Sequence, residues 1–239
     1  MTALVRKAML LAVGGILVAS AAMAAVPSPG NSTLPGAAGP GASGHIDLVG
    51  WDGVAADPTP GTSAAAKSLI TMTVRDLANN AIAGALVVFY FQPCKGSGGQ
   101  EDVVIADVQP DPGVTAVCTD STIRAVTDGA GQISIRIVGS AHNVGGGLST
   151  GAGYLCGIVY ADGVDLGRVT VGCYDQNGAA GTNPSDVSSV QSAALQSPGP
   201  GDFGRCDFDG NSSVNPTDTS QIQSVSLQGL SSQSGSPCY

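Results

Sequence analysis

The feature that most constrains this chain is a duplication. Residues 175–196, DQNGAAGTNPSDVSSVQSAALQ, align with residues 207–228, DFDGNSSVNPTDTSQIQSVSLQ, at an offset of 32. Ten of the 22 positions are identical, and N-P-[ST]-D and Q-S-x-x-L-Q stay in register. Two copies of one small unit are therefore expected, each a loop followed by a short helix over 185–196 and 217–228. Val187, Val190 and Ala194 in the first helix, and Ile222, Val225 and Leu230 around the second, recur near i, i+3 spacing. Two such stripes can pack together as a small core. The run Ser197-Pro198-Gly199-Pro200-Gly201 breaks the first helix and links the copies.

Each copy opens with oxygen-bearing side chains at alternate positions. In the second, Asp207, Asp209, Asn211, Asn215 and Asp218 fall at loop positions 1, 3, 5, 9 and 12, and Ser213 at position 7 offers its backbone carbonyl. Calcium is a hard cation that gathers about six to eight oxygens, and this spacing turns the side chains inward. In the first copy Asp175, Asn177, Gly181, Asn183 and Asp186 match, but Ala179 brings no side-chain oxygen to position 5. Both copies lack the usual Gly at position 6, having Ala180 and Ser212. Fewer ligand charges lower affinity. Calcium is therefore expected in the second loop and left open for the first.

Helix capping is the competing account. Asn183 and Asn215 suit N-caps, Pro184 and Pro216 the first helical position, and Asp186 and Asp218 the third. That explains N-P-[ST]-D. It does not explain Asp207-Phe208-Asp209-Gly210-Asn211 upstream.

The arrangement resembles a type I dockerin: two loop–helix repeats, Asp at the last ligand position and no helix before each loop. The resemblance implies a small EF-hand-like helical module over 173–239 with calcium as its cofactor. It also implies docking to an extracellular, cohesin-like partner through Pro184, Ser185, Gln191 and Ser192 and through Pro216, Thr217, Gln223 and Ser224. Near-identity of the two sets would permit two-fold-related docking.

Upstream, 45–172 reads as β-structure. L-I-T-M-T-V (69–74) alternates, 86–91 is apolar and aromatic, and I-S-I-R-I (133–137) has strict period two. Residues 154–160 and 169–171 flank Ala161-Asp162-Gly163, a hairpin-like turn. An antiparallel sandwich is expected. Val74, Asp76, Asn80, Ile82, Gly84, Ala85, Val87 and Phe89, with Thr127-Asp128-Gly129-Ala130-Gly131-Gln132-Ile133, resemble a bacterial immunoglobulin-like domain of the invasin type. Such domains serve as spacers or adhesive modules. The expected fold class is thus mainly β: an immunoglobulin-like sandwich followed by the helical module.

Arg6 and Lys7, the apolar stretch 9–18 and Ala22-Met23-Ala24 compose a secretory signal over 1–24. Residues 25–44, rich in Pro, Gly, Ser and Ala, read as a flexible tether. All six cysteines, Cys94, Cys118, Cys156, Cys173, Cys206 and Cys238, follow the signal, and their even count in an exported chain favours disulfides. Neighbour pairing is expected: Cys94–Cys118, Cys156–Cys173 and Cys206–Cys238.

Nine Lys and Arg against 18 Asp and Glu give a formal charge of −9, which argues against nucleic acid or an anionic membrane as partner. Catalysis finds little support. Glu101 is the only Glu, His45 and His142 stand far apart, and HExxH does not occur. No catalytic residues are therefore assigned. A polysaccharide-binding platform of Trp51 with Tyr90, Tyr154 or Tyr160 is a second class of function. The leading expectation is a secreted, non-catalytic protein whose calcium module docks to an extracellular protein in polysaccharide-degrading or cell-surface assemblies. The alternative is a carbohydrate-binding or adhesive surface protein with purely structural calcium loops.

Overall fold

The structure is a computed structural model and describes residues 25–49, 69–94, 102–142, 153–178, 181–196, 204–227 and 238. The expected signal, Trp51, Glu101, Ala179, Ala180, Leu230 and the 197–201 linker lie outside these residues. The described chain is mainly β, with a curled sheet and two helices.

Ten strands are present among the described residues: β1 (Gly44–Leu48), β2 (Ile70–Thr73), β3 (Leu86–Tyr90), β4 (Asp102–Ile105), β5 (Thr115–Val117), β6 (Thr122–Val126), β7 (Gln132–Ile135), β8 (Gly139–His142), β9 (Gly157–Ala161) and β10 (Val164–Cys173). Six form one sheet in the order β1-β10-β9-β3-β6-β5, while β2 pairs with β7 and β4 with β8. Period-two burial explains the layers. Val87 and Phe89 of β3, Ile123 of β6 and Val159 of β9 point into one core with Met72, Ile105, Ile135 and Ile137. The β9–β10 hairpin turns on Asp162 and Gly163, at φ 45° and 81°, as its sequence predicts.

Four expectations are corrected. The strand foreseen over 154–160 begins only at Gly157, because Leu155 sits in left-handed conformation at φ 45° and turns the chain. The pairing is not wholly antiparallel: β1 runs parallel to β10, Gly44 opposite Val169 and Leu48 opposite Cys173. The 25–44 segment is no tether. Ser28 N donates to Arg75 O at 2.7 Å, Thr33 and Thr73 exchange backbone hydrogen bonds, and Leu34 is buried in the main core. Its small residues allow this close approach instead of freeing the chain: a Cβ on Gly44 would lie 2.5 Å from Pro35 O.

The disulfides are the fourth. Cys94 bonds Cys156, and Cys118 bonds Cys238. The reason is sheet adjacency. Cys94 ends the turn after β3, and β9, the partner of β3, is led in by Cys156. Cys238 is held at the end of β4 by its N–H, which donates to Ile105 O at 2.9 Å. Cys173 and Cys206 are buried thiols.

The two helices are α1 (Pro184–Gln196) and α2 (Pro216–Leu227). They close a second core of Tyr174, Val190, Ala193, Cys206, Phe208, Val214, Ile222 and Val225, with Val187 and Ala194 at its margin. No sharp boundary divides this core from the sheet. Strand β10 runs on to Cys173, and Tyr174 N donates to Leu48 O at 3.2 Å. Among the described residues no helix is long and apolar enough to cross a membrane.

Candidate metal centre

The duplication is visible bond by bond. In the first loop Asp186 Oδ1 accepts from Gln176 N and its Oδ2 from Asn183 N, both at 2.8 Å. In the second, Asp218 Oδ1 accepts from Phe208 N at 2.7 Å and its Oδ2 from Asn215 N at 2.9 Å. Asn183 Oδ1 accepts from Ser185 N, and Asn215 Oδ1 from Thr217 N, at 2.9 and 2.8 Å. The asparagines are therefore N-caps, and each prolyl residue takes the first helical position, where no N–H is needed. Asp at the third position returns a bond to the cap's N–H, as in a capping box. The amides of Asn183 and Asn215 also reach Gly181 O and Ser213 O, at 3.2 and 3.5 Å.

Capping does not exhaust the carboxylates. Asp207 Oδ2 accepts from Ser212 N at 2.8 Å, but Oδ1 is buried and has no hydrogen-bond donor among the described residues. Asp175 Oδ1 accepts from Gly178 N at 2.7 Å, while its Oδ2 is equally buried and bare. Asp175, Asp186 and Asp218 are 0% exposed and Asp207 3%. Ligand oxygens of Asp207, Asp209 and Asp218 gather within 4.8 Å of one another. A buried carboxylate with an unfilled oxygen is costly unless a cation meets it. Burial pushes Asp207 and Asp175 up to about 6; Asp218 adds to the first effect and Asp186 to the second. Burial also raises Asp186 and Asp218, against their backbone donors.

The remaining second-loop positions surround this cluster. Asp209 is exposed, and its carboxylate accepts from Asn211 N and Nδ2 at 3.1 and 2.8 Å. Asn211 Oδ1 accepts from Ser213 N at 2.9 Å. Ser212, where Gly is usual, still takes φ 67°, so the turn forms without its preferred residue. In the first loop Asn177 spends its amide on Ser185 Oγ at 2.7 Å.

Several residues at the site were not foreseen. His45 of β1 lies under the second loop: a Cβ on Gly210 would come within 3.0 Å of its Cβ. His45 Nε2 meets Asp47 Oδ1 at 2.9 Å. Burial works against its charge, but Asp47, Asp207 and Asp218 together hold its pKa above the ordinary value. Tyr174 stacks on Phe208, centroids 4.7 Å apart. Arg205 is 1% exposed, and its guanidinium nitrogens have no hydrogen-bond partner among the described residues. The repeat holds one hint of these differences, at loop position 2: Gln176 in one copy, Phe208 in the other.

The expected partner-binding residues form an outer surface. Pro184, Ser185, Gln191, Ser192, Pro216, Thr217 and Gln223 are exposed and Ser224 half-buried. Gln191 and Pro216 line a groove between the helices with Leu195, Val214 and Thr219. Of the aromatic platform, Tyr90 and Tyr160 lie on adjacent strands β3 and β9, and Tyr154 is in the turn before β9. No protein-family model, curated protein or solved structure matches the chain.

Proposed function

We propose that this is an exported, non-catalytic protein whose duplicated loops bind calcium and whose two helices dock to an extracellular, cohesin-like protein. The sheet, read as an immunoglobulin-like sandwich, carries that dockerin-like module. One observation supports the calcium reading above all: each loop buries two carboxylates and leaves one of their oxygens bare. The second loop adds a third carboxylate, Asp209. The ion would be held by Asp207, Asp209, Asn211, Asn215, Asp218 and the Ser213 carbonyl, oxygens that suit a hard cation. Asp175, Asn177, Asn183, Asp186 and the Gly181 carbonyl would form a weaker first site.

Calcium titrated into the full mature chain tests this. Saturable heat and a higher Tm are expected, with the stronger binding lost in Asp218→Ala. An unmoved Tm at extracellular calcium levels overturns the reading. Capture of a cohesin module only in calcium then supports docking.

A second reading has its own support. The second loop leans on His45 and the first continues from β10, so calcium there would brace the sheet itself. In that case calcium raises Tm, cohesin is not captured, and the protein serves as an adhesive or carbohydrate-binding surface module.

A further inference from the structure

Cys173 and Cys206 each stand just before one of the duplicated loops, one residue out of register with each other. Cys173 precedes Asp175 by two residues, and Cys206 directly precedes Asp207, so each cysteine stands at the mouth of one loop. One side chain joins their surroundings. Gln176 Nε2 donates to Cys173 O at 2.5 Å and to Arg205 O at 3.1 Å, while Cys206 Sγ lies 3.5 Å from Gln176 Oε1. The backbones also converge on Gly153, whose Cβ would meet Val171 O at 2.4 Å and Arg205 N at 2.6 Å. Both thiols are 0% exposed.

We infer that Cys173 and Cys206 are joined in the exported protein by a third disulfide that clamps the entrances of the two loops to the end of β10. The bond forms by exchange with an exported thiol–disulfide oxidoreductase. One cysteine thiolate attacks the oxidoreductase disulfide, and the second then displaces the mixed disulfide. The two thiols together lose two protons and two electrons, and the oxidoreductase leaves as a dithiol. Exchange precedes closure of the core, because both sulfurs are covered once the chain has folded and an oxidoreductase can no longer reach them. Once covered, the bond is shielded from reductants.

Digestion after Lys and Arg separates the possibilities. Cys173 falls in peptide 169–205, Cys118 in 96–124, and Cys206 and Cys238 share the peptide that begins at Cys206. The exported protein is denatured and alkylated without reductant, using material in which 76–95 and 137–168 are linked through Cys94 and Cys156. The expected product is a three-peptide species that falls apart only on reduction. In Cys238→Ser, 96–124 is released while 169–205 stays attached, which excludes the crossed pairing. Release of 169–205 from the wild-type protein with Cys173 alkylated overturns the inference. So does its loss in Cys238→Ser.

Discussion

The two loops share a scaffold and differ in charge. Both cap a helix with Asn, bury a first and a last aspartate, and return the last carboxylate to the cap's N–H. The second adds Asp209 and Asn211 where the first has Asn177 and Ala179, and it rests on His45. The hydrogen-bonded frame is therefore a property of the repeat, while the capacity for a cation is set by two or three side chains laid over it. Capping and metal binding are separate layers of one sequence.

The largest test of that separation is Asp218→Ala. It removes the acceptor for Phe208 N, Asp209 N and Asn215 N, so frame and ion should fail together. A loss of about 1–3 kcal/mol in stability without calcium is expected by chemical denaturation, and the tighter calcium site should vanish from a titration. Asp175→Asn should split the layers. It removes a carboxylate charge buried beside Asp186, so the calcium-free protein should gain stability while first-loop binding disappears.

Next in size is the pH response. Asp175 and Asp207 hold their protons up to about pH 6, above their ordinary 3.8. The folded protein therefore binds more protons than the unfolded one in that interval. The stability from these groups is present below pH 3.8 and lost as pH rises through about 6. Tm of calcium-free protein should fall across this window, and saturating calcium should flatten the fall. An equal fall with and without calcium would separate the aspartates from any ion.

Charge exchange should sharpen the contrast. Asp209→Asn should weaken the second site, and Asn177→Asp strengthen the first, each on the order of tenfold in calorimetry. The smallest effects concern backbone. Gly210→Ala forces a side chain into φ 70° and against His45, costing about 1 kcal/mol, whereas Ser212→Gly relieves φ 67° and should gain about 0.5–1 kcal/mol.

Much of the local structure was legible in the sequence. Period-two burial in β3 and β7, the Asp162-Gly163 turn and the Asn-Pro helix starts all follow from rules that act over a few residues. What the sequence hid was distant pairing. Cys94 finds Cys156 because β3 lies beside β9, and no local pattern encodes that neighbour. The Pro- and Gly-rich stretch at 25–44 looked too small to bury anything, yet Leu34 reaches the core and Asn31 Nδ2 donates to Asp76 O at 2.8 Å. His45 and Asp47 carried no signal at all. They matter only because β1 meets β10.

That parallel pair sets the order of events in folding. Strand β1 has no partner in the main sheet until β10 is made, so its registry with 169–173 waits for nearly all the intervening chain. Contacts that span so many residues are the slow ones. His45 takes its place under the second loop only when β1 docks. Calcium that needs this floor would arrive at a finished sheet and lock it, rather than seed its assembly.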